Sequence, residues 1–148
     1  IFHEMGEAPI FPGVKPLMQA IHASGMSVNV VTGSGQRPLI DKLLMDFSDY
    51  LVREHITSAY DVKCGKPYPD PYLQGMRKAG YADPRQAIVV ENAPLGVRAG
   101  KAAEMFTVAI NSGPLPDKAL TDEGADVLYP SIEAFLADWP EVVKVAGK

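Results

Sequence analysis

Apolar residues along this chain alternate between two periods. Val14, Leu17, Met18 and Ile21 recur at three- and four-residue spacing, which predicts a helix buried by one face, and Gly25 stands where a left-handed C-terminal cap would close it. Residues 28–32, Val-Asn-Val-Val-Thr, then read as a short β-branched strand. The turn Gly33-Ser34-Gly35 follows it, and Leu39, Leu43 and Phe47 mark the next helix, with Pro38 suited to its first turn. A weaker strand is expected between Thr57 and Val62, before the polar loop 63–67. Asp70 and Pro71 read as the N-cap and first residue of a helix that ends at Gly80.

Ala87-Ile88-Val89-Val90 is the clearest strand, because an unbroken apolar run with β-branching suits a parallel strand covered on both faces. A helix from about Pro94 to Ala103 follows, then strands over Met105–Ile110 and Ala125–Leu128. Ser131 is expected to cap a last helix that stops before Pro140. Alternating strands and helices predict a mainly parallel sheet with helices on both faces, since parallel neighbours need long crossovers. In such sheets ligands bind beyond the carboxyl ends of the strands.

Composition narrows the function classes. The chain has 148 residues, 47% hydrophobic and 22% charged, which suits one folded domain. Its net charge of -4 is spread thinly, with no basic stripe to meet a nucleic acid backbone. No apolar run approaches the roughly 20 residues that cross a bilayer. Cys64 stands alone, which fits a reducing cytoplasm and excludes an intramolecular disulfide.

Three loops at strand ends carry chemistry. Thr32-Gly33-Ser34-Gly35 offers hydroxyls, close backbone approach and free helix N–H groups, a phosphate-sized cradle, or else an ordinary flexible turn. Lys66 lies between Gly65 and Pro67, where a pinned backbone could hold an ammonium against a phosphate; a solvated lysine is the alternative. Glu91 and Asn92 leave the most buried strand as hard oxygen donors suited to Mg²⁺, although Asn92 could instead cap the helix that begins near Pro94. His3, His22 and His55 are too scattered for an evident metal site, and Cys64 lacks an identifiable paired base. Arg37 and Arg98 sit near expected helix starts, as outer contacts to phosphate or, the safer reading, as solvated arginines.

In order and spacing, these motifs resemble the haloacid dehalogenase superfamily, and within it the branch of β-phosphoglucomutase and sugar-phosphate phosphatases. The matching stretches are residues 11–14 (Phe-Pro-Gly-Val), 30–34 (Val-Val-Thr-Gly-Ser), 64–67 (Cys-Gly-Lys-Pro) with 70–72 (Asp-Pro-Tyr), and 89–97 (Val-Val-Glu-Asn-Ala-Pro-Leu-Gly-Val). The resemblance implies a three-layer αβα, Rossmann-like core. It further implies that Thr32 with Gly33 and Ser34 binds the transferring phosphoryl group, that Lys66 steadies its charge, and that Glu91 and Asn92 hold Mg²⁺. The branch usually has Asp where this chain has Asn92, which removes a negative charge from the expected metal site.

The same resemblance implies an attacking aspartate in an Asp-x-Asp motif, forming an aspartyl-phosphate. No Asp-x-Asp occurs in these 148 residues, and the chain opens on Ile1. Residues 1–10 are therefore expected to be the end of a cap-to-core linker, 11–140 a partial core lacking its nucleophile strand and helical cap, and 141–148 a C-terminal tail. The expected function is the core portion of a Mg²⁺-dependent phosphatase or phosphomutase acting on small sugar phosphates, inactive as this fragment. A metal-independent dehalogenase and a non-catalytic phosphate-binding module are the alternatives. A missing central strand would also leave sheet surface open to self-association.

Overall fold

A computed structural model describes residues 2–3, 13–33 and 36–147 of the chain. Among the described residues six parallel strands form one sheet: β1 (Phe2–His3), β2 (Asn29–Val31), β3 (Ile56–Thr57), β4 (Ile88–Glu91), β5 (Phe106–Ile110) and β6 (Val127–Tyr129). Their spatial order is β3-β2-β1-β4-β5-β6. The helices are α1 (Val14–Ala23), α2 (Arg37–Asp46), α3 (Asp70–Lys78), α4 (Pro94–Ala102), α5 (Asp117–Thr121), α6 (Ile132–Ala137) and α7 (Trp139–Ala146).

Side chains alternate across a strand, and here the alternation sorts the core into two layers. Val30, Ile88, Val90, Val108 and Ile110 pack with α1, α2, α6 and α7 through residues such as Leu17, Leu43, Phe135 and Trp139. Val31 and Val89 point to the other face, where Tyr72 and Met76 of α3 and Ala99 of α4 cover them. Ala109 joins Val97 and Leu120 farther along that face. The result is the three-layer αβα core that the sequence predicts.

Most elements fall within a residue or two of expectation. Gly25 and Gly80 adopt φ of 79° and 88°, the left-handed conformation anticipated just past the ends of α1 and α3. Ser131 caps α6, its Oγ accepting from the Ala134 amide at 3.1 Å. The N-cap of α3 is Pro69 rather than Asp70, so Asp70 is its first helical residue.

Four expectations are corrected. The strand anticipated from Thr57 to Val62 is only Ile56–Thr57, because Ser58 and Asp61 close a capping box that turns residues 59–61 into a 3₁₀ helix. Pro140 does not end the helical region, since it lies in the first turn of α7, where proline needs no N–H partner. Residues 141–147 are accordingly not a tail: Val142 is buried, and beside it the Trp139 indole donates to Ser24 Oγ at 2.9 Å. Within the segment expected to be linker, Phe2–His3 is a strand between β2 and β4, pairing Phe2 with Asn29 and Val89, and His3 with Val30 and Val90. The central place expected to stand open is thus partly filled, which narrows the ground for self-association.

Candidate active site

The Thr32 and Glu91 motifs lie at or just past the carboxyl end of a strand, while Lys66 comes nine residues beyond β3. Thr32 follows β2, its amide donating to the Thr57 carbonyl at 2.9 Å, and its side chain is buried. Gly33 comes next; Ser34, the other residue of the predicted cradle, lies outside the described residues. Lys66 sits in the loop before α3, which is tightened by a Tyr68 amide bond to the Gly65 carbonyl at 3.0 Å. The Lys66–Pro67 peptide is cis.

Glu91 is the last residue of β4. Two-residue alternation puts it on the same face as Val89, towards α3 and α4. There its side chain is wholly buried, and Lys66 Nζ donates to its Oε2 at 2.9 Å. The Tyr72 hydroxyl donates to the same oxygen at 2.5 Å, and the Asn92 amide donates to Oε1 at 3.1 Å. A buried carboxylate is tolerated only when paired and hydrogen-bonded, and these donors satisfy that condition. The Lys66 ammonium also stands 5.0 Å from the centre of the Tyr72 ring, a cation–π distance. The approach of α4 is close because residue 96 has no side chain: a β-carbon there would fall 2.0 Å from the Glu91 carboxyl carbon.

Above this network opens a cleft of about 420 Å³, lined among others by Thr32, Gly33, Ser58, Lys63, Lys66 and Gly96. Thr32, Gly33 and Lys66, which the sequence links only through their place at strand ends, therefore face one space. Ser58 is anchored from behind by Asp61, which accepts from the Ser58 amide at 2.7 Å and from its hydroxyl at 3.1 Å. Burial pushes the Asp61 carboxyl up, but hydrogen bonds from the Ser58 backbone and from Lys78 outweigh that effect and hold it below the usual carboxylate value.

The metal expectation fits less well. Mg²⁺ takes near-octahedral oxygen coordination, usually with one or two carboxylates. Both Glu91 oxygens already accept hydrogen bonds, and the side chain has no exposure. Among the described residues no group of three or more His, Cys, Asp or Glu could hold a metal ion. Asn92 engages Glu91 through its backbone; Ala93 is the N-cap of α4 and no side chain caps that helix, so the capping alternative for Asn92 is not realised. The described residues alone do not make a magnesium site.

Other candidates lie elsewhere. Arg98 is clamped on Glu123 by two bonds of 2.7 Å, a geometry that explains it without a phosphate. Arg37 opens α2 and is exposed. His22 meets the Tyr50 ring edge-on at 5.7 Å, and His55 Nδ1 lies 3.5 Å from Ser27 Oγ, so neither joins the cleft. Cys64 is a free, half-buried thiol. Sequence reasoning missed Tyr72, Ser58 and Gly96. Tyr72 stood within a matched motif, but nothing in its spacing revealed a bond to Glu91.

Comparison with known proteins agrees with this geometry. A family model described as haloacid dehalogenase-like hydrolase matches residues 1–104. Glycerol-1-phosphate phosphohydrolase 1 of Saccharomyces cerevisiae is 34% identical over 129 residues, covering 83% of this chain and 51% of the relative. Hexitol phosphatase A of Escherichia coli is 36% identical over 101 residues, covering 68% and 45% respectively. A solved structure from Bacteroides vulgatus, described as a candidate beta-phosphoglucomutase, superposes with a TM-score of 0.84 at 41% identity, covering 96% of this chain and 58% of that one. The chain thus spans about half the length of the relatives it matches. No described helix is long and apolar enough to cross a membrane. With a parallel αβα core, the motif residues gathered at one sheet edge, and a family match over more than half its length, the chain belongs to the haloacid dehalogenase-like hydrolases.

Proposed function

We propose that this chain is the core of a phosphatase or phosphomutase that acts on small phosphorylated substrates of the sugar-phosphate class. The observation that carries the reading is the shared cleft of Thr32, Gly33 and Lys66, with Lys66 fixed by Glu91. In this reading the Thr32 hydroxyl and the Gly33 backbone receive phosphoryl oxygens. The Lys66 ammonium, held in a site largely shielded from water, offsets the charge that builds on them during transfer. Ser34 and Asn92 are assigned to the same pocket, Ser34 as a further hydroxyl donor and Asn92 as a neutral carbonyl donor. Relatives that act on glycerol phosphate and hexitol phosphate support a small polyhydroxylated substrate.

The attacking carboxylate has to come from outside this sequence, which holds no Asp-x-Asp. The 148-residue chain by itself is therefore assigned phosphate binding without turnover. Magnesium is assigned to the full-length polypeptide, where carboxylates beyond those described here would complete its coordination. A cytoplasmic location is proposed on the single unpaired cysteine. The competing reading is a binding module that keeps the cradle and has lost turnover, and Asn92 in place of the branch's usual Asp is the observation that favours it.

Phosphate release separates these readings. Full-length polypeptide and the 148-residue chain should be assayed on glycerol phosphate and sorbitol phosphate with and without Mg²⁺. Turnover by the full-length form alone, stimulated by Mg²⁺, is expected. Binding of phosphate with no turnover in either form would establish the module, and metal-independent release of halide from a haloacid would establish the dehalogenase. Robust turnover by the short chain would overturn the assignment of the nucleophile.

A further inference from the structure

We infer that Tyr72 is a positioning residue for phosphoryl binding, acting through Glu91 on Lys66. The inference rests on the proposed function of the cleft. Tyr72 is fully buried in the first turn of α3 and is not among the residues that line the cleft, so it acts without touching a ligand there. Its hydroxyl reaches Oε2 of Glu91 at 2.5 Å, and the Lys66 ammonium reaches that oxygen at 2.9 Å. One carboxylate oxygen thus takes two donors of different kinds. Lys66 brings a full positive charge, whereas Tyr72 brings a neutral dipole.

That difference has a consequence for Lys66. An ionised carboxylate has about four lone-pair sites, and each neutral donor stabilises its charge without consuming a cation. On Glu91 the Tyr72 hydroxyl and the Asn92 amide are donors of this kind. Lys66 thus makes full contact, at 2.9 Å, with a carboxylate oxygen whose place the Tyr72 hydroxyl also fixes. Its ammonium, with its side chain 11% exposed, is thereby set at the wall of the cleft proposed to take a phosphoryl group. Without the hydroxyl, Oε2 would lose a donor that fixes it, and Lys66 would lose the set position it takes from that oxygen. The Tyr72 ring adds a second constraint, since at 5.0 Å its face limits where the ammonium can stand.

The test is a double-mutant cycle of Tyr72→Phe and Lys66→Met in the full-length polypeptide, read as affinity for inorganic phosphate by calorimetry and as kcat and KM on glycerol phosphate. Tyr72→Phe keeps the ring and removes only the hydroxyl. We expect it to weaken phosphate binding and lower kcat about five- to tenfold, the net scale of one hydrogen bond. In the Lys66→Met background it should change phosphate affinity by less than about twofold, because the residue through which it acts is gone. An equal loss in both backgrounds, or no loss in either, would overturn the inference. A purely structural role would lower the unfolding temperature without such coupling. If Tyr72→Phe does not fold, 3-fluorotyrosine placed at position 72 keeps the shape and strengthens the donor. Phosphate affinity should then rise, and a fall or no change counts against Tyr72. Failure of the unaltered full-length protein to bind phosphate would instead sink the proposed function itself.

Discussion

The backbone of Gly96 passes so close to Glu91 that an added β-carbon would lie 2.0 Å from both the carboxyl carbon and Oε2. Alanine is about 1 kcal/mol better than glycine inside a helix, so propensity alone favours Gly96→Ala. Steric overlap in a packed core costs about 1–3 kcal/mol, and here the displaced group is a buried carboxylate held by three donors. Gly96→Ala should therefore be destabilising in urea unfolding, and phosphate binding should weaken with it. A stabilised variant would mean that the α4–Glu91 approach is looser than the geometry shows.

Lys66 and Glu91 form a pair whose side chains are 11% and 0% exposed. Removing one member of a buried pair typically costs about 3–5 kcal/mol, because the other charge is left in a poorly solvated place. Lys66→Met should lose stability on this scale, measured by urea denaturation. Adding Glu91→Gln should restore a good part of it while leaving phosphate binding poor. Equal stability of the single and double variants would show that Lys66 does little to offset the Glu91 charge.

What the sequence makes legible follows from the range of the interactions involved. Thr32, Lys66 and Glu91 could be singled out because strand ends are readable from apolar runs, and topology then brings those ends to one edge. Tyr72 and Gly96 could not, because their roles depend on α3 and α4 meeting one carboxylate across the face of β4. The five residues of α5 are too few for a helical period to emerge. At Pro140 a local rule was applied at the wrong place, since proline marks a helix start as readily as an end.

Thr32 is buried at the end of β2 and lines the cleft. Thr32→Val keeps its shape and removes the hydroxyl. Stability should change by only about 1 kcal/mol, the net scale of one hydrogen bond, whereas phosphate affinity and turnover of the full-length polypeptide should fall at least tenfold. Thermal unfolding and a phosphate titration on one preparation separate the two effects, and unchanged affinity would remove Thr32 from the cradle.

The Tyr129 hydroxyl donates to Asp138 Oδ2 at 2.5 Å, joining β6 to the start of α7. Burial first, then that bond and the Asp138 charge, push its ionisation from 10.0 up to about 12. A raised value means that the contribution is complete below about pH 10 and is lost as pH rises through about 12. Ultraviolet titration should show a late tyrosinate step near pH 12 that vanishes in Tyr129→Phe. Over the same interval the variant's stability should decline less steeply.

Trp139 closes the core beneath α1, with its ring edge-on to Phe135 at 5.7 Å and its indole bonded to Ser24. Trp139→Ala should cost about 3–5 kcal/mol, as large aromatic truncations in cores do. Loss of under about 1 kcal/mol in chemical denaturation would return residues 139–147 to the status of an appendage.

The sheet is held unevenly across its width. Between β4 and β5 the register runs over four residue pairs, whereas β2 and β3 meet through only two, Val30 with Ile56 and Val31 with Thr57. The β3 edge is therefore the lightly held side of the sheet, and the β4–β5 pair its firmly held part. Amide protons of Ile56 and Thr57 should exchange with deuterium sooner than those of Val108 and Ala109, because release of the β3 edge breaks few backbone bonds. Thr32, whose amide is tied to the Thr57 carbonyl, would then stand beside the first part of the sheet to loosen, so that one wall of the cleft could breathe while the rest of the domain stays folded.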